Sequence, residues 1–265
     1  MREREPRRGL PWPLAPAAAL AVAFLVLPLV GLVTQVQWTR LPELLTAPAA
    51  LDALRLSLIC STAATALSAL LGVPLAWLLA HGRGPGIALL RGIVTLPLVL
   101  PPVVGGLALL LALGRRGLAG RGLEAWTGFT LPFSTAGVIV AETFVAMPFL
   151  VVTVEGALRS ADAGLEEAAA TLGATRLVAL RTVTLPMLLP SLGAGAVLAW
   201  ARALGEFGAT ITFAGNYPGR TQTMPLAVYL ALEQDLDSAI VLSLVLLVVS
   251  VAILAGLRDR WLTAS

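Results

Sequence analysis

Few side chains in this 265-residue chain could do chemistry, and those that could are set in apolar surroundings. Glu142 sits inside a run from Leu131 to Gly156 whose only other charge is Glu155. An ionised carboxylate at the centre of a membrane helix costs at least about 2.5 to 3.5 kcal/mol, so Glu142 must face protein or water, as a structural contact or as part of a polar path. Arg202 and Glu206 stand four residues apart, on one helix face, where they can neutralise each other. Other chemistries are excluded. All 18 basic residues are Arg, so no Lys can reach the phosphates of ATP from a P-loop, and any ATP that drives this protein is hydrolysed by another polypeptide. A single Cys60 and a single His81 cannot build a Cys/His zinc site, and neither G-x-S-x-G nor H-E-x-x-H occurs. No catalytic residue, cofactor or metal is expected.

The elements that must position these residues are membrane helices. With 58% hydrophobic and 12% charged residues and a mean hydropathy of +0.89, the chain is too apolar for a soluble domain. Apolar runs predict six spans at residues 14–36, 53–80, 92–113, 132–157, 184–204 and 239–257, each long enough for the ~18 to 20 residues that cross ~30 Å of hydrocarbon. The fold class is therefore an all-α integral membrane protein, with one transmembrane domain over 14–257 between short tails at 1–13 and 258–265. The run after Met1–Arg8 is too long for a cleaved signal and reads as an anchor.

A pI near 10.0 does not indicate nucleic acid, because the Arg residues do not cluster with aromatics on a soluble face. They follow membrane topology instead. Eleven fall on the side of both termini and the 159–182 loop, against five in the opposite loops, which predicts cytoplasmic termini. Pro74, Pro97, Pro101, Pro102, Pro148 and Pro190 lie inside the runs, and Leu96 to Pro102 followed by Gly105-Gly106 cannot form a straight helix. Met224 to Leu232 is apolar but too short to cross, so it is expected to lie in the interface or dip into the bundle after the turn at Asn216–Gly219. Irregular backbone at membrane depth needs protein or a water-filled cavity around it, which makes the 205–237 segment the first candidate for a translocation path.

The loop at 159–182 carries the strongest motif. Leu165, Ala168, Ala169 and Leu172 fall at i, i+3, i+4 and i+7, a narrow apolar stripe of small and medium side chains on a short helix. Asp162 is placed to cap that helix, Glu166 and Glu167 put negative charge in its first turn, and Gly173 permits the left-handed conformation that ends it. Such a knob suits insertion into a groove on a partner protein. The run Glu167-Ala168-Ala169, then Gly173, then Val183-Thr184-Leu185-Pro186 resembles, spacing for spacing, the cytoplasmic loop by which membrane subunits of bacterial ABC importers dock onto their ATPases. The resemblance implies that Glu166, Glu167, Ala168, Ala169, Gly173, Leu185 and Pro186 couple to an ATP-binding cassette subunit.

A second stretch narrows the resemblance. Gly205-Glu206-Phe207-Gly208-Ala209 is similar to permeases of the sulfate and molybdate importer branch. The continuation Thr210-Ile211-Thr212-Phe213, a turn, then Gly219-Arg220-Thr221-Gln222-Thr223-Met224-Pro225 resembles the molybdate permeases, although Arg220 stands where they often carry an acid. That likeness implies a type I importer bundle with a cytoplasmic coupling helix, two copies of the chain paired in the inner membrane, and a periplasmic oxyanion-binding protein that delivers the substrate. It places Arg202, Gly205, Glu206, Phe207, Gly208, Thr210 and Glu142 along the path or its gate. A sulfate or thiosulfate permease shares the G-E-F-G-A core, and tungstate is inseparable from molybdate. A proton-driven secondary transporter with Glu142 as relay would call for inverted repeats, which are not found, and would have no docking loop.

Overall fold

The computed structural model describes residues 12–161, 164, 169 and 171–262. After a 3-10 turn at Trp12–Leu14 come α1 (Ala15–Thr34), α2 (Leu41–Thr46), α3 (Pro48–His81), α4 (Pro85–Val99), α5 (Pro102–Leu113), α6 (Gly120–Thr127) and α7 (Thr135–Ser160). Beyond the 161–175 loop lie α8 (Arg176–Ala179), α9 (Leu185–Leu204), α10 (Gly208–Phe213), α11 (Met224–Gln234) and α12 (Leu236–Leu262). Among the described residues five helices are long and apolar enough to cross a bilayer, or six crossings if the bent pair α4–α5 is one span.

α7 is the axis of the bundle. Its N-terminus is fixed by Ser134, whose Oγ accepts the N–H of Gly137 at 3.1 Å. Around α7 pack α3, α4, α9 and α10. The face α3 presents is a seam of small residues, Ser57, Cys60, Ser61, Ala64, Ser68, Gly72 and Ala76, which recur every three or four positions and let two backbones approach. A Cβ on Gly72 would stand 3.1 Å from Val151 Cγ2, and one on Gly195 of α9 would stand 3.3 Å from Leu150 Cα. Small residues, rather than large apolar ones, therefore set the spacing of the bundle. α1 lies outside this core: none of its 20 residues is buried, and lipid is the solvent its composition suits.

The run expected to cross at 92–113 does not do so as one helix. It begins at Pro85, breaks at Leu100-Pro101 and turns by 119° into α5. Pro101 and Pro102 have no N–H to continue the ladder, and a residue before proline is driven to extended backbone, as Leu100 is at φ −65°, ψ 132°. The segment Met224–Gln234 does dip into the bundle, with Met224, Leu226 and Ala227 buried and the Met224 N–H bonded to Ser57 Oγ at 2.7 Å. At the end opposite the 161–175 loop, Arg40 ties the chain after α1 to the turn before α12, through Asp237 at 2.8 Å and Asp235 at 3.8 Å.

Candidate functional site

In the 159–182 loop, Glu166, Glu167 and Ala168 fall outside the described residues, as do Asp162 and Leu165. The helix end beyond them closes as the spacing requires. Gly173 has φ +85°, and the N–H of Ala174 reaches back to Ala169 O at 3.0 Å, the six-residue bond that ends a helix around a left-handed glycine. Leu172 is 89% exposed, so it rests on nothing among the described residues. Thr175 then starts α8, its Oγ1 accepting the Val178 N–H at 3.4 Å.

Leu185 and Pro186 lie just after a π-turn at Leu180–Thr184, in which the Leu185 N–H bonds Leu180 O. The cause is Pro186: its ring clashes with the carbonyl four residues back and it donates no bond, so the helix widens by one residue before it. Both side chains are exposed, while Leu188, one turn further, enters the core against α7. The motif thus marks where a surface loop becomes a buried helix.

The residues assigned to a path divide between two faces. Gly205 ends α9, and the chain turns at Gly205-Glu206-Phe207 into α10. Gly205 and Phe207 border an open cavity of about 510 Å³ with Pro225, Tyr229, Leu232 and Leu246, where the Phe207 and Tyr229 rings lie 5.1 Å apart. Glu206 points the other way. It is 1% exposed, its Oε2 lies 2.5 Å from Arg202 Nη2, and its Oε1 accepts the Ala209 N–H at 2.7 Å. The Arg202 contact is a charge contact off the N–H direction, whereas the Ala209 bond satisfies a donor in the first turn of α10. Glu206 is therefore held within the chain, between Arg202 and the start of α10.

Gly208 and Thr210 are buried on the same inner side. A Cβ on Gly208 would meet Pro102 Cβ at 2.9 Å and Val103 N at 3.1 Å, and one on Gly106 would meet Ala209 O at 2.7 Å. The α4–α5 break and the start of α10 are thus one close-packed joint. Glu142, 1% exposed on α7, lies within the electrostatic reach of Glu206, and its Oε2 has no hydrogen-bond partner among the described residues. None of these inward groups borders the cavity.

Sequence reasoning did not pair Glu155. Arg91 Nε donates to its Oε1 at 2.9 Å and Arg159 stands 3.5 Å from the same oxygen. A signal was present, since an acid inside an apolar run needs a cation and Arg91 opens the run that packs beside it. Arg115, exceptional among the arginines opposite the loop end, pairs with Glu124 at 2.7 Å.

The chain matches the model of the family "Binding-protein-dependent transport system inner membrane component" over residues 72–264. It is 50% identical over 256 residues to the molybdenum transport system permease protein ModB of Mycobacterium tuberculosis, covering 96% of each chain. It is 35% identical to the sulfate transport system permease protein CysT of Salmonella typhimurium, covering 88% of this chain and 86% of that one. Its fold matches a bacterial ABC transporter involved in the import of the acidic polysaccharide alginate, with a TM-score of 0.73 at 19% identity over 94% and 93% of the two chains. The bundle and its bent pair therefore have a family, and this chain belongs to it: the binding-protein-dependent inner membrane components of transport systems.

Proposed function

We propose that this chain is the transmembrane subunit of an ATP-driven importer of molybdate, with tungstate accepted at the same path. The observation that carries the substrate is the contrast in likeness: 50% identity across nearly the whole chain to a molybdenum transport permease, against 35% to a sulfate permease. The run from Ala209 to Pro225 adds to it, because there the resemblance to molybdate permeases extends past the core that both groups share.

In this reading two copies pair in the inner membrane with both termini cytoplasmic, as the Arg bias supports. A periplasmic oxyanion-binding protein delivers the anion, and each copy seats an ATPase subunit on residues 166–173. The exposed Leu172 and the closed helix end at Gly173 suit that seat. A tetrahedral dianion is repelled by fixed negative charge, so Glu206, which stands between the cavity-lining Gly205 and Phe207 in the chain but faces inward, must stay neutralised by Arg202. ATP-driven closure of the two ATPases draws the loops together and rocks the bundles, which alternates access to the path between the copies.

Uptake of radiolabelled molybdate by vesicles carrying the whole complex, in competition with sulfate, tests the substrate. Molybdate uptake that sulfate at equal concentration leaves unchanged is expected. Displacement by equal sulfate would transfer the assignment to a sulfate permease.

A further inference from the structure

We propose that Arg91 and Glu155 are a positioning pair that makes α4 a connecting rod between the docking loop and the α5–α10 joint. Glu155 lies on the last turns of α7, which ends at Ser160 as the loop begins, and it is 6% exposed. One oxygen of it, Oε1, takes two contacts from a single guanidinium: Arg91 Nε at 2.9 Å and Nη2 at 2.7 Å. The same Nη2 donates to Leu79 O at 3.1 Å, one of the last carbonyls of α3, which have no partner within their own helix. One side chain of α4 thus binds the ends of α3 and α7 where the docking loop departs.

At its other end α4 runs into the proline break, and the first residues of α5 press on Gly208 and Ala209 of α10. Between these anchors α4 is lightly held. Val94 is its one buried residue there, whereas Ile93, Leu96 and Val99 are exposed. From Arg91 to Val99 it rises about 12 Å, enough to carry a displacement from the ends of α3 and α7 to the break. A helix pinned at Arg91 and at the break, and resting on the core along the stripe of Ile87, Leu90 and Val94, moves as one piece and carries movement of one anchor to the other.

Stability alone does not account for the pair. An apolar pair of similar volume fills such a site as well or better, because removing two charges from water costs about what their attraction returns. What the ion pair adds is direction. The planar guanidinium holds a fixed angle between α4, the α7 carboxylate and the α3 carbonyl, which an ammonium on a flexible stem does not.

The inference rests on the proposed docking of an ATPase at 166–173, and the test separates the two. The complex of permease, ATPase and binding protein is reconstituted in vesicles with Arg91→Lys, Glu155→Gln, or the exchange Arg91→Glu with Glu155→Arg. Retention of the ATPase in a pull-down, melting temperature, ATP turnover and molybdate taken up per ATP are read together. Failure of the parent chain to retain the ATPase would refute the docking reading alone.

For the pair, Arg91→Lys and Glu155→Gln are expected to keep the ATPase bound and turning over while uptake per ATP falls about tenfold, a coupling loss of ordinary size. The exchanged pair sets a guanidinium beside Arg159 and an acid against Leu79 O, so it should not recover the loss. Unchanged uptake per ATP in Arg91→Lys overturns the proposal, since that variant keeps the charge and loses only the fork. So does a fall in uptake that merely tracks a fall in melting temperature or in ATPase retention.

Discussion

The loop between α7 and α8 and the turn between α9 and α10 are both glycine-marked breaks that follow a long helix, yet they are built in opposite ways. At the loop, Gly173 is required for its backbone, with φ +85° and nothing within 4 Å of an added Cβ. At the turn, Gly208 is required for its space, with Pro102 2.9 Å from an added Cβ. Leu172 stands free, while Glu206, Ala209, Thr210 and Phe213 are all but inaccessible. The first break is shaped for something outside the chain's own core. The second is already filled by the chain itself, so its movement has to move α5 with it.

The difference separates function from stability. Gly173→Pro and Glu167→Arg should bring uptake to background and abolish ATPase retention while the protein stays inserted with its melting temperature unchanged. Proline cannot adopt φ +85°, and Gly173 has nothing within 4 Å of an added Cβ among the described residues, while a reversed charge at Glu167 opposes the dipole of the helix that the sequence predicts there. Uptake that persists in both variants would remove the docking assignment.

Gly208→Ala is the opposite case. Its methyl group meets the side chain of Pro102 and the backbone of Val103, neither of which can swing aside, and overpacking of this kind costs about 1–3 kcal/mol. Gly156→Ala on α7, with nothing within 4 Å, should instead stabilise by about 0.5–1 kcal/mol through helix propensity. Thermal melting in detergent compares them. Equal melting temperatures would mean that the joint is loose.

These contrasts show what the sequence could carry. The number of crossings, counted with α4–α5 as one span, the helix end at Gly173 and the short helix at Met224 were legible because each depends on neighbouring residues and on backbone chemistry. The double kink was legible at Pro101-Pro102, but its 119° bend was not, since that depends on Gly106 meeting Ala209 and Gly208 meeting Pro102 across about a hundred residues. The split of Gly205-Glu206-Phe207 into a cavity face and an inner face was hidden for the same reason. A helical repeat places side chains on a wheel, but a turn between helices assigns its faces through packing alone.

Arg202 and Glu206 test that split more gently. Arg202→Ala leaves a carboxylate that is 1% exposed with one hydrogen bond and no cation, which costs about 1–3 kcal/mol. The double change Arg202→Ala with Glu206→Gln removes the stranded charge, so both melting and uptake should recover part of the loss. A double variant worse than the single one would place Glu206 in the path rather than in a contact within the chain.

The smallest effect is expected at the far end, where the Arg40 cluster is open to solvent. The Ser238 hydroxyl, which donates to Asp235 Oδ2 at 2.5 Å, holds the Asp235 carboxyl below its ordinary value of 3.8, with the Asp237 N–H and Arg40 adding to the effect. A carboxyl whose value is lower in the folded than in the unfolded state contributes stability that is present above the unfolded value and lost as pH falls through the folded one. Acid below about pH 4 should therefore loosen the turn between α11 and α12, while neutral and mildly acidic solution leaves it intact. Amide exchange at residues 235–239 reads this directly, and Asp235→Asn should flatten its dependence on acid. Salt should weaken the Arg40 contribution, since exposed charges are screened, whereas the buried contact between Arg202 and Glu206 should hold through the same range. A salt response of equal size at both places would erase the distinction between the exposed and the buried pair.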